Sequence, residues 1–301
     1  MLKTNEKQLV EMAVQGKIGP AVRSREWTPD QFGKIHAVPG VGSIVYNVKV
    51  GDPAFGWKGD HIEPGVSTVV DENKRADAVN AAYNFLACMG NEARVVTGDA
   101  KGAKGVVVGH HGGIEHVMID FDDKTLDKLT LEDKILIRAF GQGLELTDYP
   151  DVKVYNLAPS LLHRMGIKAG RDGTLQVPVT AMVPGELMGS GLGHPDPVSG
   201  DYDITTMDEK VIRKHNLDKI RFGDFVALMD CDNTYGRHFL SGAVTIGIVV
   251  HSDCIISGHG PGVATLLSCR TPLLKPVRSA DANIGQILKI GRFRKLPRTR
   301  K

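Results

Sequence analysis

Cysteine is scarce. Cys88, Cys231, Cys254 and Cys269 are the only four in 301 residues, and no two form a CxxC pair. A disulfide-dense scaffold is therefore excluded, and the usage points to a reduced, intracellular protein. No apolar run approaches the ~20 residues needed to cross a bilayer, and the opening Met1-Leu2-Lys3-Thr4-Asn5-Glu6-Lys7 is too polar for a signal peptide. A soluble, cytoplasmic protein with no membrane partner is expected. The chain also lacks a phosphate loop ending in Gly-Lys-Ser/Thr and a dinucleotide fingerprint set in a βαβ unit. Nucleotide-dependent phosphoryl transfer is accordingly disfavoured. Gly189-Ser190-Gly191 has neither the context nor the spacing of a Gly-x-Ser-x-Gly nucleophile elbow.

What is present is ordinary globular composition tilted toward turns: 42% hydrophobic, 24% charged, with 35 Gly and 15 Pro. The net charge of +2 hides an asymmetry. From Arg270 onward there are ten basic residues and one acid, Asp281, so the preceding body carries a net charge of −7.

Short apolar segments broken by Gly, Asp and Pro give a mostly-β α+β reading, with β-barrel-like units and few helices. Leu9, Val10, Met12 and Ala13 suggest a short helix. Ile44, Tyr46, Val48 and Val50 alternate as a strand, and Val79, Tyr83, Phe85 and Leu86 give the best helix, capped upstream by Asp71 and stopped by Gly90-Asn91. Three regions follow: an N-terminal arm with strands and a helix over 1–91, a small SH3-like barrel over 92–150, and a β-rich domain over 151–301 carrying an Asp/His cluster and the basic tail. The strongest strand, Ala243-Val244-Thr245-Ile246-Gly247-Ile248-Val249-Val250, is apolar throughout and so is expected to be buried on both faces.

The densest chemistry lies at 228–263. Asp230 and Asp232 end one strand, and His251 and Asp253 follow the next. Residues two apart on a strand share a face, so each pair can present two ligands to a Zn, Mn or Mg ion. Solvated turn residues at strand ends are the plainer account. In Gly258-His259-Gly260-Pro261-Gly262, closely approachable backbone N–H groups of Gly260 and Gly262 can form an oxyanion site, with a helix over 264–267 reinforcing it; a sharp turn is the alternative. The loop at 57–63 offers Trp57 as an apolar wall and Asp60, His61 and Glu63 as acid, base or ligand, or is a mobile surface turn. His110-His111 adds two imidazoles, either ligands or part of an exposed loop.

The run Gly98-Asp99-Ala100-Lys101-Gly102-Ala103-Lys104-Gly105-Val106-Val107-Val108 resembles the short hydrophobic–Gly–Lys–Gly–hydrophobic motif of small barrels in ribosomal and transcription-elongation proteins. With Lys289, Arg292, Arg294, Lys295, Arg298, Arg300 and Lys301 it allows a nucleic-acid reading. The acidic body and the single interleaved aromatic, Phe293, favour a solvated basic terminus instead.

Four long stretches carry a family resemblance: Val50-Gly51-Asp52-Pro53-Ala54-Phe55-Gly56-Trp57-Lys58-Gly59-Asp60-His61, Gly98-Asp99-Ala100-Lys101-Gly102-Ala103-Lys104-Gly105, Gly200-Asp201-Tyr202-Asp203-Ile204, and His251-Ser252-Asp253 through Val263. On these the chain resembles the prokaryotic family of domain of unknown function 4438, which implies no reaction. A weaker similarity is to the acetamidase/formamidase family, and it implies a β-rich amide-hydrolase architecture. The expectation is a metal-dependent hydrolase, or reversible cyclase, acting on a small linear or cyclic amide. Asp230, Asp232, His251 and Asp253 would hold the ion; His259, His61 and Asp60 would serve in catalysis; Arg237, Gly260, Gly262 and Trp57 would bind substrate. The alternatives are a non-enzymatic RNA- or ribosome-associated protein and a metabolite-binding oligomer. The long apolar strand and Gly-rich loops suggest a homo-oligomer.

Overall fold

A computed structural model describes residues 2–22, 28–74 and 77–295. The N-terminal half contributes strands β1 (Met12–Ile18), β2 (Thr28–Pro29), β3 (Ile35–His36), β4 (Ile44–Val45), β5 (Gly65–Val69), β6 (Glu92–Val95), β7 (Lys104–His111), β8 (His116–Asp120) and β9 (Lys134–Ala139). Six of them run in the order β1-β9-β6-β7-β8-β5, every neighbour antiparallel. Lys17 pairing Val69 and Ile18 pairing Thr68 then join β5 back to β1. The sheet is thus a closed barrel, which leaves no free edge among these six strands.

Closure settles two local questions. The stretch expected as a helix near residues 9–13 is instead the start of β1: a short 3₁₀ turn at Glu6–Gln8 precedes it, and pairing with β9 and β5 overrides the helix-like spacing. The small barrel expected over 92–150 contains strands β6, β7, β8 and β9, but β1 and β5 complete it, so this unit extends back across residue 91. Helix α1 (Ala78–Leu86) forms and packs Tyr83 into the barrel core. Its N-cap is Asp77, whereas Asp71 accepts from Asn73 N in an upstream turn. Ala76 lies outside the described residues.

The C-terminal half contributes β10 (Lys153–Val154), β11 (Lys168–Ala169), β12 (Leu175–Val179), β13 (Ala181–Val183), β14 (Tyr202–Asp203), β15 (Phe225–Asp232), β16 (His238–Val249), β17 (Gly262–Cys269) and β18 (Leu274–Arg278). A second sheet has the order β10-β17-β16-β15-β13, with β14 also paired to β17; β11-β12-β18 form a third. The apolar run at 243–250 is buried throughout; 243–249 form the buried half of β16, and Val250 follows it. The helix expected at 264–267 is the interior of β17.

The barrel and second sheet pack face to face through strand alternation. Val107, Val117 and Ile119 point into the barrel core, while Val108 and Met118 point outward and join Phe225, Ile246, Ile248, Val250 and Leu266. A β-bulge between Val107 and Gly109 adjusts the end of the β7–β8 hairpin, where His111 pairs opposite His116. That end meets the loop before β5, strand β14 and the segment after β16.

Candidate metal centre

The β7–β8 hairpin supplies His111 and His116, the loop before β5 supplies Asp60, His61 and Glu63, the approach to β14 supplies Asp201 and Asp203, and the segment after β16 supplies His251 and His259. Together they line or back a cavity of about 400 Å³. His61, His111 and His251 offer ring nitrogens that all lie within 4.8 Å of one another, and Asp201, Asp203 and His251 meet the same limit. The rings of His111 and His251 stack with centroids 4.2 Å apart.

Each of the three imidazoles is held from behind by an acceptor at Nδ1. His61 Nδ1 lies 3.0 Å from Asp60 Oδ1, His111 Nδ1 lies 2.6 Å from Glu63 Oε1, and His251 Nδ1 lies 2.8 Å from the Ser252 carbonyl oxygen. An Nδ1–H donated in this way leaves a lone pair on Nε2, the tautomer a metal ligand needs. His251 carries the sharpest signal. Its ring is fully buried and its Nε2 lies 2.7 Å from Asp201 Oδ2 and 3.3 Å from Asp203 Oδ1, yet neither contact has hydrogen-bond direction, so Nε2 is unsatisfied. A buried imidazole nitrogen facing two carboxylates is a donor set suited to a divalent cation, which on binding would displace the proton that those carboxylates otherwise favour on Nε2.

The carboxylates are ionised. Burial alone would raise Glu63, but His116 and His111 hold it well below the usual carboxylate range; Ser67 Oγ and Gly42 N also donate to it. Burial opposes ionisation of Asp60 and Asp201 as well, and the hydrogen bond from His61 and the charge of His251, respectively, outweigh it. Burial likewise works against a charged His251, but the two aspartates hold its pKa well above the ordinary imidazole range.

Local geometry explains why these residues arrive here. Asp201 and Asp203 are two apart and share a face, while Tyr202 between them packs in the core. Asp201 Oδ1 accepts from Gly112 N at 2.7 Å, which ties β14 to the hairpin. Gly262 has no room for a side chain: a Cβ there would lie 2.0 Å from Asp201 Oδ2 and 2.2 Å from His251 Nε2. His61 itself sits in the left-handed region at φ 53°, a conformation that costs a non-glycine residue about 1 kcal/mol or more.

Several expected site residues lie elsewhere. Asp230 occupies a β-bulge at φ 53° and accepts from Gly242 N at 2.8 Å, so it does not share a face with Asp232. Asp232 accepts from Thr234 N and Oγ1, and Arg270 approaches its other oxygen at 3.1 Å. Asp253 accepts from Thr206 Oγ1 and lines a separate cavity. These three are therefore not among the groups that meet His251; His61 and His111 form one such group with it, and Asp201 and Asp203 form another. Gly260 and Gly262 allow close packing, a Cβ at Gly260 falling 1.9 Å from Ile204 O, and neither lines the cavity. Trp57 donates to Pro53 O and lines a neighbouring cavity. His61, Asp60, His259 and Arg237 do line the central one. His259 Nδ1 lies 2.7 Å from Asp203 Oδ2, forming a His–Asp pair at the rim. Arg237 donates from both Nη atoms to the Ser199 and Asp201 carbonyls, holding the loop that delivers Asp201.

Two of the basic C-terminal residues within the described range, and Lys104 of the earlier Gly- and Lys-rich run, form ion pairs. Arg292 pairs with Asp52, Arg294 pairs with buried Asp120, and Lys104 pairs with Glu92. Arg298, Arg300 and Lys301 lie outside the described residues. All four cysteines are buried and unpaired, and among the described residues no helix is long and apolar enough to cross a membrane.

A family model described as domain of unknown function DUF4438, N-terminal, matches residues 27–163, and its C-terminal counterpart matches 164–288. A crystal structure of TM1086 is 43% identical to this chain over 94% of it and 98% of that chain, with a TM-score of 0.88. No curated protein matches. The similarity to acetamidase/formamidase expected above finds no support among these matches.

Proposed function

Because the chain belongs to the family of domain of unknown function 4438, whose name carries no chemistry, we propose from the site itself that it is a metal-dependent hydrolase of a small amide. The observation that supports this reading is the convergence of the His61, His111 and His251 ring nitrogens beside Asp201, each ring anchored through Nδ1. A divalent cation held by these residues would supply an activated water and polarise a substrate carbonyl.

The protein's own groups have distinct tasks. Asp60, Glu63 and the Ser252 carbonyl fix the orientation and tautomer of the three histidines. Asp203 holds His259 Nδ1 and leaves its Nε2 toward the rim, where it can take or return a proton. Gly112, Gly191 and Gly200 narrow the walls without blocking the centre. The mixed imidazole and carboxylate set suits Zn or Mn better than Mg, which prefers oxygen alone.

The test is hydrolysis of a panel of linear and cyclic amides by metal-loaded protein, by protein stripped with chelator, and by stripped protein given metal again. Activity that disappears on stripping and returns on reloading is expected. Activity unaffected by complete stripping would overturn the metal role.

A further inference from the structure

Two charged side chains on the cavity wall have no ionic partner among the described residues. Arg237 is 4% exposed and no carboxylate oxygen lies within 4.0 Å of it, its Nη atoms being used on backbone carbonyls. Its buried Nε has no hydrogen-bond partner. A buried guanidinium with an unpartnered Nε, which Asp201 and Asp196 reach only from beyond ion-pair distance, is incompletely satisfied, and an arriving anion relieves that cost.

The second is Glu115, in the turn of the β7–β8 hairpin. It is held in the left-handed region at φ 58° because Asn84 Nδ2 donates to its carbonyl at 2.8 Å and Asn80 Nδ2 lies 3.5 Å away. This grip from helix α1 fixes the backbone at Glu115, a residue that lines the cavity. One oxygen accepts from Gly113 N at 3.2 Å, and no cation pairs with the group. A non-glycine residue kept at positive φ by outside contacts points to a placement that serves something other than the turn.

We propose that the cavity takes a dipolar ligand, its carboxylate seated on Arg237 and its amino group on Glu115, so that the substrate class is a small amino-acid amide or dipeptide. The inference rests on reading the cavity as an amide-hydrolysing site, and it adds which amides fit. A volume of about 400 Å³ holds a compound of this size, and opposite charges on two walls fix which way its amide faces the histidines. Neutral amides of equal size lack both anchors.

Four probes separate the contributions in calorimetric titrations: glycylglycine with both charges, N-acetylglycine with the anion, glycinamide with the cation, and N-acetylglycinamide with neither. Glycylglycine is expected to bind at least about tenfold more tightly than N-acetylglycinamide. Glu115→Gln should bring glycylglycine to the affinity of N-acetylglycine and leave N-acetylglycine unchanged. Arg237→Gln should do the reverse with glycinamide as the reference; because Arg237 also supports the Asp201 loop, Glu115→Gln carries the decision if that variant fails to fold. Equal affinity for all four probes, no binding of any at millimolar concentration, or indifference to Glu115→Gln would overturn the proposal. Metal content measured on the same samples separates the two readings. A dipolar preference in protein that holds no metal keeps this inference and removes the metal centre, and bound metal without the preference does the opposite.

Discussion

Glu63 Oε1 accepts a hydrogen bond from His111 Nδ1 at 2.6 Å, and the same carboxylate takes His116 Nδ1 at 3.0 Å through Oε2. One fully buried side chain thus sets the tautomer of a ring facing the cavity while being held in place by a ring that does not. Glu63→Gln preserves shape and removes the charge. It should weaken metal binding about 10–100-fold while leaving the fold intact, as outer carboxylate partners of ligating histidines commonly do. Competition with a chelating dye reads the affinity; an unchanged value would show that Glu63 only fills space.

Gly262→Ala should be disproportionately damaging. The new methyl would sit inside contact distance of both His251 and Asp201, so one of them must move. A loss of metal together with roughly 1–3 kcal/mol of stability is expected. Metal content and urea unfolding of the same preparation measure both, and full retention of metal would count against the tight placement of these two groups.

His259→Gln separates proton transfer from metal binding. His259 Nδ1 contacts Asp203 Oδ2 and, at 3.3 Å, His61 Nε2; it lies outside the His61–His111–His251 set, though it forms a separate group with His61 and Cys254. Turnover of a cleaved amide should fall by about 10²-fold or more with metal content unchanged. Equal turnover would remove it from catalysis.

The C-terminal arginines act as a clamp. Arg294 joins Asp120 and donates to the Phe121 carbonyl at 3.1 Å. Burial pushes the Asp120 carboxyl up, and Arg294 opposes this. Arg294→Ala should cost roughly 2–3 kcal/mol, below the ~3–5 of a fully buried pair because the arginine is partly exposed. Adding Asp120→Asn should restore part of the loss, since no buried charge then remains. Denaturant unfolding of the two variants checks this, and a double variant no more stable than the single would contradict it.

His110 gives a pH signature. It is buried against the Ala87 carbonyl, and burial lowers its pKa to about 4. The folded-state value lies below the unfolded one, so the unfolded chain takes up the proton first. The associated stability is present above about pH 6.5 and is lost as pH falls through about 4, amounting to roughly 3 kcal/mol. In metal-free protein, His110→Gln should flatten the stability profile over that interval relative to the parent; parallel profiles would contradict the assignment.

Much of the barrel was legible because its strands are short, apolar and punctuated by Gly and Asp. β1 was not, since Leu9, Val10, Met12 and Ala13 have helix-like spacing and only the distant partners β5 and β9 decide the outcome. His61, His251 and His259 stood out as imidazoles in Gly-rich or strand-end settings. Asp230 and Asp232 had the alternation of a ligand pair, but the bulge at Asp230 breaks it. The pair with intact alternation, Asp201 and Asp203, follows a Gly- and Pro-rich segment and looked like turn chemistry. Gly200-Asp201-Tyr202-Asp203-Ile204 was visible only as part of a family pattern. Glu63 and His111 are 48 residues apart, and no local pattern reveals that they meet.

The central claim is tested most directly by elemental analysis of untagged protein purified without chelator, alongside His251→Gln and an Asp230→Asn, Asp232→Asn double variant. About one divalent ion per chain, lost in His251→Gln and kept in the double variant, is the predicted result. An absence of metal after loading, or an ion that survives in His251→Gln, would contradict the account.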